Sequence, residues 1–209
     1  NYLYVADREN HKIRRVDKST GEVTTFAGSG AAGSADYTGT AATFYAPEGI
    51  TNDGTNLYVS GTQNQKIRKI VIASGVTTTL AGSGDIGSAN GTGAAASFKY
   101  PRAITSDGTN LYVTDSNNHS IRKVEISTGE VTTIAGSGSA GSADGTSTSA
   151  TFSAPEGIVS DSTNLYVLDT QNHTIRKISL SATETAEFDL HNLDDDFPNT
   201  PQIVVSGVL

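Results

Sequence analysis

The feature that most constrains this chain is a repeat. Leu-Tyr-Val begins at Leu3, Leu57, Leu111 and Leu165, a constant spacing of 54 residues. Positions 3–56 and 111–164 align without a gap and match at 38 of 54 places, so the copies share whole elements and not merely a hydropathy pattern. A period of this length means one supersecondary unit copied in tandem. Each copy needs its neighbours to bury its own apolar faces.

Four strand signals follow one another inside the unit. In the third copy they are Pro101-Arg102-Ala103-Ile104-Thr105, Leu111-Tyr112-Val113-Thr114, Ile121-Arg122-Lys123-Val124-Glu125-Ile126 and Val131-Thr132-Thr133-Ile134-Ala135. The segments between them are Asp107-Gly108-Thr109-Asn110, Asn117-Asn118-His119 and Ser127-Thr128-Gly129-Glu130. All three are turn chemistry, with Gly or Asn available for positive φ. Ile121 and Val124 are apolar at both parities of one strand, as expected when both faces of a sheet are covered. No window has helical periodicity. Four short antiparallel strands per unit predict an all-β propeller made of four-stranded blades.

The ordered motifs Pro-x-Gly-Ile, Asp-Gly-x-Asn-Leu-Tyr-Val-x-Asp, Asn-His-x-Ile-Arg-Lys-Val and Thr-Gly-x-Val-Thr-Thr-x-Ala-Gly resemble the NHL repeat over about residues 3–188. That resemblance implies a propeller, and such repeats usually close as six-bladed rings. This chain departs from the pattern, because four units are visible and the fourth decays after Leu180. Its last strand survives faintly as Thr185-Ala186-Glu187-Phe188, and its long loop gives way to Asp194-Asp195-Asp196. The expected organisation is blades over 1–188, then an acidic linker with a closing strand, or the start of another blade or domain, over 189–209. The tail Pro201-Gln202-Ile203-Val204-Val205-Ser206 resembles the inner strand Pro155-Glu156-Gly157-Ile158-Val159-Ser160. Two closures therefore stand open: a four-bladed ring completed by the tail, and part of a larger propeller. An open arc would leave two blade faces bare at a cost on the order of 10–20 kcal/mol, comparable to a domain's whole net stability. The expectation is that the ring closes, or that further blades or domains of the same polypeptide, or self-association, cover the faces.

Composition removes several function classes. The formal net charge of −8 argues against nucleic acid, whose binding needs a basic surface to release counterions. No apolar run is long enough to serve as a transmembrane segment. Cysteine is absent, so there is no disulfide framework, thiolate metal site or thiol nucleophile, and a bacterial source fits better than a small eukaryotic secreted module. The chain opens at Asn1-Tyr2-Leu3 in mid-pattern, as a processed or truncated product would.

Several motifs tempt a chemical reading that the repeat itself undercuts. Gly28/Gly30/Gly33, Gly82/Gly84/Gly87 and Gly136/Gly138/Gly141 each match a dinucleotide fingerprint, yet no helix follows to offer its N-terminus to a pyrophosphate. His11, His119 and His173 share one position, filled by Gln65 in the second unit. One imidazole per blade at an outer turn lies far beyond the roughly 2 Å bonds zinc requires. Asp7, Asp115 and Asp169 precede one turn, and Asp53, Asp107 and Asp161 open another; capping of Asx turns accounts for both sets. Arg14, Arg68, Arg122 and Arg176 read as interblade ion pairs laid over apolar stems. No cofactor is expected. Weak calcium binding in the Ser-Ala-Asp-Gly-Thr loops stays open, without any EF-hand-like ligand spacing. The sequons at Asn90, Asn118 and Asn172 are explained by turn chemistry, and His191 reads as a linker residue.

What repeats in every blade holds blades together; what breaks the repeat is the better functional candidate. Alternating strand direction places the long loops and the Asn-His turns on one face. There the inner-strand entrances differ: Tyr45 and Glu48 in the first unit, Lys99, Tyr100 and Arg102 in the second, Ser153 and Glu156 in the third. Aromatic and charged groups at a central mouth suit recognition. The expected binding residues are Tyr45, Glu48, Lys99, Tyr100, Arg102 and Glu156, with no catalytic or metal-ligating set. The leading expectation is a non-enzymatic binding scaffold that is extracellular, periplasmic or on the cell surface, with a protein or glycan partner. A propeller lyase or lactonase with a metal in its channel is the alternative, and RNA binding ranks third.

Overall fold

The computed structural model describes residues 1–180. The expected strand at Thr185–Phe188, His191, the acidic stretch and the closing tail all lie outside the described residues.

The described chain is all-β and forms four antiparallel sheets of propeller-blade type. The first holds β1 (Tyr2–Asp7), β2 (Lys12–Asp17) and β3 (Val23–Ala27). The second is β4 (Pro47–Asn52), β5 (Asn56–Gly61), β6 (Lys66–Val71) and β7 (Thr77–Ala81), in that order. The third contains β8 (Gly91–Thr92), β9 (Pro101–Ser106), β10 (Asn110–Asp115), β11 (Ser120–Glu125) and β12 (Glu130–Ala135), with order β8-β12-β11-β10-β9. The fourth comprises β13 (Pro155–Ser160), β14 (Asn164–Asp169) and β15 (Thr174–Ser179). Register repeats with sequence. Ile13, Ile67 and Ile121 pair with Ala27, Ala81 and Ala135, and each ladder shifts by one residue immediately afterwards. Equal sequence spacing has become equal hydrogen bonding.

The core lies between blades, not within them. Cross-strand alternation gives every blade a Leu-Val face and a Tyr-Ile face. Ile13 and Ala27 of the first blade meet Leu57, Val59 and Ile70 of the second. Tyr58, Ile67 and Ala81 meet Leu111, Val113, Val124 and Val131 in the same way. Tyr112, Ile121 and Ala135 meet Leu165 and Val167. A phenylalanine from the intervening loop fills each seam: Phe44, Phe98 and Phe152, all essentially fully buried. Truncating one to alanine would cost about 3–5 kcal/mol.

The long loops are straps. After β3 the chain turns at Gly28 with φ +98°, where a Cβ would lie 2.7 Å from the His11 carbonyl, so only glycine fits. The loop then runs to the next blade, where Thr38 bridges Val76 and the Gly39 N–H donates to the Gly75 carbonyl at 2.9 Å. In the following unit the same stretch becomes β8, which pairs Gly91 and Thr92 with Val131 and Glu130 of β12. The glycine-rich run thus adds an outer edge to the next blade. It offers no helix N-terminus to a phosphate.

Candidate functional site

Three repeated side-chain devices hold the inner-strand mouth in place. The first is the arginine. Arg122 is fully buried and donates to the Ser97 carbonyl at 3.0 Å, the Ala89 carbonyl at 2.9 Å, Asn90 Oδ1 at 2.9 Å and Asp115 Oδ2 at 2.8 Å. Its guanidinium lies 5.2 Å from the Phe98 ring centroid. Arg68 reads the preceding strap likewise, through the Thr43 and Ala35 carbonyls at 3.0 Å and Asp36 at 2.5 Å. Arg176 pairs with Asp144 and Asp169. Asp36 and Asp144, the acids of the Ser-Ala-Asp loops, thus already serve guanidiniums.

The second device is the turn residue. His11, Gln65, His119 and His173 all sit in the left-handed region, with φ between 50° and 56°. The Nδ1 atoms of His11 and His119 accept the backbone N–H of Ala46 at 3.2 Å and of Ala154 at 3.0 Å. Gln65 Oε1 does the same for the Tyr100 N–H at 2.6 Å. Each therefore fixes the residue before the proline that opens the next inner strand. A His or a Gln presents an acceptor at similar reach, which explains their exchange across units. The Asn-His turns consequently share a face with the inner-strand entrances.

The third device is the carboxylate. Asp115 Oδ1 accepts the Lys99 N–H at 2.7 Å, and Asp169 Oδ1 accepts the Ser153 N–H at 2.7 Å. Both are fully buried, so they are nodes joining strand, strap and arginine, beyond the turn capping expected of them. Burial pushes the Asp115 carboxyl up, against the opposing pull of Asn118, the Lys99 N–H and Arg122. Asp53 behaves oppositely. Burial would raise it, but hydrogen bonds from the Asn56 N–H, the Tyr58 hydroxyl, the Asn56 side chain and the Thr55 N–H win and hold it at about 2.

These devices present a charged row along the entrances of adjacent inner strands. Arg102 on β9 reaches Glu156 on β13 at 2.8 Å and Glu48 on β4 at 3.8 Å. Glu48 is also paired with Arg8, from the turn after β1, and Arg8 with Glu9. Glu48, Gly49, Arg102, Ala103 and Glu156 line a shallow depression of about 220 Å³. Close backbone approach makes the row possible. A Cβ on Gly49 would stand 2.4 Å from the Arg102 carbonyl. Ser60 Oγ accepts the Gly49 N–H at 2.8 Å and donates to the Arg102 carbonyl, while Thr114 Oγ1 donates to the Glu156 carbonyl at 3.2 Å.

Of the six residues expected from sequence, the structure brings together Glu48, Arg102 and Glu156. Tyr45, Lys99 and Tyr100 sit just outside, on the segments entering Pro47 and Pro101. Tyr45 is exposed and stacks edge-on against His11, with centroids 5.4 Å apart. Lys99 and Tyr100 are half-buried and tied through their backbones. Sequence reading missed Arg8, although it breaks the repeat where Thr62, Ser116 and Thr170 stand in the other units. Among the described residues no group of three His, Asp or Glu side chains is arranged to hold a metal ion. No helix among them is long and apolar enough to cross a membrane.

No protein-family model matches the chain. SUPPRESSOR OF QUENCHING 1, chloroplastic, of Arabidopsis thaliana is 28% identical over 97% of this chain and 26% of its own length. NHL repeat-containing protein 2 of Bos taurus is 32% identical over 63% of this chain and 20% of its own length. A solved auxiliary nutrient binding protein of Bacteroides thetaiotaomicron superposes with a TM-score of 0.68 at 25% identity, covering 86% of this chain and 45% of that one. The chain therefore spans about a quarter or less of these curated relatives, and under half of the solved neighbour. Blade sheets joined by buried inter-blade seams define a protein of the β-propeller class. Its 54-residue units resemble NHL repeats, and 63% of the chain is similar to a protein named for that repeat.

Proposed function

We propose that this chain is a non-catalytic binding propeller of a secreted or surface protein, which recognises a protein or glycan at the inner-strand mouth. The observation that carries the reading is Arg102, held between Glu48 and Glu156 on an exposed row, whereas the repeated arginines Arg68 and Arg122 are fully buried in the seams. Arg102 and Glu156 are 38% and 37% exposed, so their pairing is worth no more than about 1 kcal/mol. A row that contributes so little to stability, yet is ordered by Ser60, Thr114 and Gly49, is free to exchange its partners for ligand hydroxyls, amides or carboxylates. Tyr45, Lys99 and Tyr100 flank it with aromatic and cationic surface of the kind enriched in recognition patches. The likeness to a solved auxiliary nutrient binding protein at 25% identity supports a binding role and a surface or periplasmic setting.

The test is a glycan array and a panel of extracellular-matrix proteins probed with the chain and with a Lys99→Ala, Tyr100→Ala, Arg102→Ala triple variant. A hit that the triple variant binds at least about tenfold more weakly, a change near 1.4 kcal/mol, supports the reading. A hit bound equally well by the triple variant refutes the site. Stoichiometric zinc or calcium in the purified protein would favour the lyase or lactonase alternative.

A further inference from the structure

The three inner-strand entrances are held by two different chemistries, and the difference follows the charge that each strand carries. Ala46, Tyr100 and Ala154 precede Pro47, Pro101 and Pro155, with φ of +47°, +54° and +47°. A residue with a side chain stays in this left-handed region only where its surroundings hold it there. The N–H of each is held by an acceptor on the turn of the preceding blade. For Ala46 and Ala154, which lead to Glu48 and Glu156, the acceptor is an imidazole nitrogen: His11 Nδ1 at 3.2 Å and His119 Nδ1 at 3.0 Å. For Tyr100, which leads to Arg102, it is the amide oxygen Gln65 Oε1 at 2.6 Å.

An imidazole nitrogen accepts only while it is unprotonated, and histidine is the side chain that ordinarily changes charge between about pH 5 and 8. An amide oxygen accepts throughout that range. A proton on Nδ1 turns the acceptor into a donor and sets two N–H groups against each other, so the left-handed residue loses its hold. The two imidazole anchors are not equally backed. Ser153, next to Ala154, donates its own N–H to Asp169 at 2.7 Å. Gly61 stands in the repeat where Asp115 and Asp169 stand, so the Tyr45 N–H has no such carboxylate. The entrance of Glu48 therefore depends more on its imidazole than that of Glu156. Around His11 the titratable and charged groups are Asp7, Arg8, Glu9, Lys12 and Arg14 of its own hairpin, Tyr45, whose ring meets it edge-on, and Glu48 of β4. Around His119 they are Asp115 and Arg122 of its own hairpin, Lys99 of the segment entering β9 and Glu156 of β13.

We propose that the mouth is gated by protons: protonation of His11 and His119 releases the entrances that carry Glu48 and Glu156, while Gln65 keeps the entrance of Arg102 fixed. The row then comes apart, because Arg102 draws on both glutamates, at 3.8 Å and 2.8 Å, and both shift together. That a bound ligand leaves with the row rests on the reading of the mouth as a binding site. The release of the entrances does not.

Amide hydrogen exchange read by NMR tests the gate without any ligand. From about pH 7.5 to about pH 5.5, across the ordinary imidazole range, the protection of the Ala46 and Ala154 amides, corrected for intrinsic exchange, is expected to fall at least about tenfold relative to Tyr100, as loss of one such hydrogen bond would cause. Ala46 is expected to lose more than Ala154. In the His11→Gln, His119→Gln double variant, which copies the second unit, all three amides are expected to keep their protection at both pH values. His173, His191, the row's glutamates and every charged group named above are common to both proteins, so the difference isolates the two anchors. Unchanged protection of Ala46 and Ala154 in the native chain overturns the proposal, and so does an acid loss that survives in the double variant. A ligand found on the array is expected to bind the native chain at least about tenfold more weakly at the lower pH, and the double variant equally at both. Silent amides beside a bound ligand overturn the gate and leave the binding reading; responsive amides beside an empty screen do the reverse.

Discussion

Replacing Arg122 with methionine isolates what one strap-reading arginine contributes. The substitution keeps a stem of similar length against Phe98 but removes donors that serve Ser97, Ala89, Asn90 and Asp115. Asp115 is itself fully buried, so it loses its charge partner in a place where water does not replace it. Breaking a buried pair in this way costs about 3–5 kcal/mol. Two carbonyls left without a donor add to the penalty, partly offset by relaxation. We take about 4 kcal/mol, which for a chain of this size lowers Tm by roughly 8–16 °C. Arg14→Met is the internal control. Arg14 bonds only Asp7 among the described residues, at 3.3 Å, and its side chain is 30% exposed, so its loss should cost under about 1 kcal/mol. The assay is thermal unfolding followed by circular dichroism, backed by urea titration. A third variant, Arg122→Met with Asp115→Asn, removes the stranded charge and should be less destabilised than the two single variants summed. The reasoning is refuted if Arg122→Met costs no more than Arg14→Met, or if the pair of changes is strictly additive.

Three further outcomes follow from the same structure. His119→Gln should retain nearly full stability because Gln65 already performs that role in the second unit, whereas His119→Ala should lose about 1 kcal/mol through the unsatisfied Ala154 N–H; urea midpoints compare them. Gly49→Ala should destabilise by more than 1 kcal/mol, about what a forced overpacking costs, because its Cβ would press into the Arg102 carbonyl and Ser60, while the already bulkier Ala103 marks where such a group fits. Asp53 is held below its ordinary value, at about 2, so its contribution is present above about 3.8 and fades as pH falls toward 2; the stability gap between the native chain and Asp53→Asn, read by urea unfolding, should therefore shrink on acidification.

Much of the fold was legible because periodicity is a statement about the chain as a whole. Unit boundaries, four strands per blade and three turn types all follow from spacing and from Gly, Asn and Asp placement. The observed β10 and β11 begin within one residue of the strand signals at Leu111 and Ile121. What spacing does not carry is where a polar side chain ends up. Arg68 and Arg122 read as interblade ion pairs over apolar stems, but spacing does not show that both are completely buried, because it is the straps that bring carbonyls, an Asp or Asn and a Phe ring to meet them. The straps were legible only as Gly-rich loops. Their partners lie more than thirty positions away, as in Arg122 to Ala89 and Asn118 to Gly87, and nothing local encodes such a contact.

The candidate site follows the same logic from the opposite side. A position that repeats is constrained by the seam it closes, so its chemistry is already used; Asp36 and Asp144 are spent on guanidiniums and the turn histidines on backbone N–H groups. Glu48, Arg102 and Glu156 occupy one repeat position yet alternate in sign, which no blade-packing requirement imposes, since the backbone there is already fixed by Ser60 and Thr114. Alternation turns three equivalent places into one ion-paired row, and Arg8 extends it by breaking the pattern at a different place in its own unit. Leu168 and Val159 break the repeat in a second way, trading hydroxyl for hydrocarbon on an outer face. The two kinds of exception thus sort by chemistry: a charged row at the mouth suits a polar ligand, and an apolar patch on the fourth blade suits another blade.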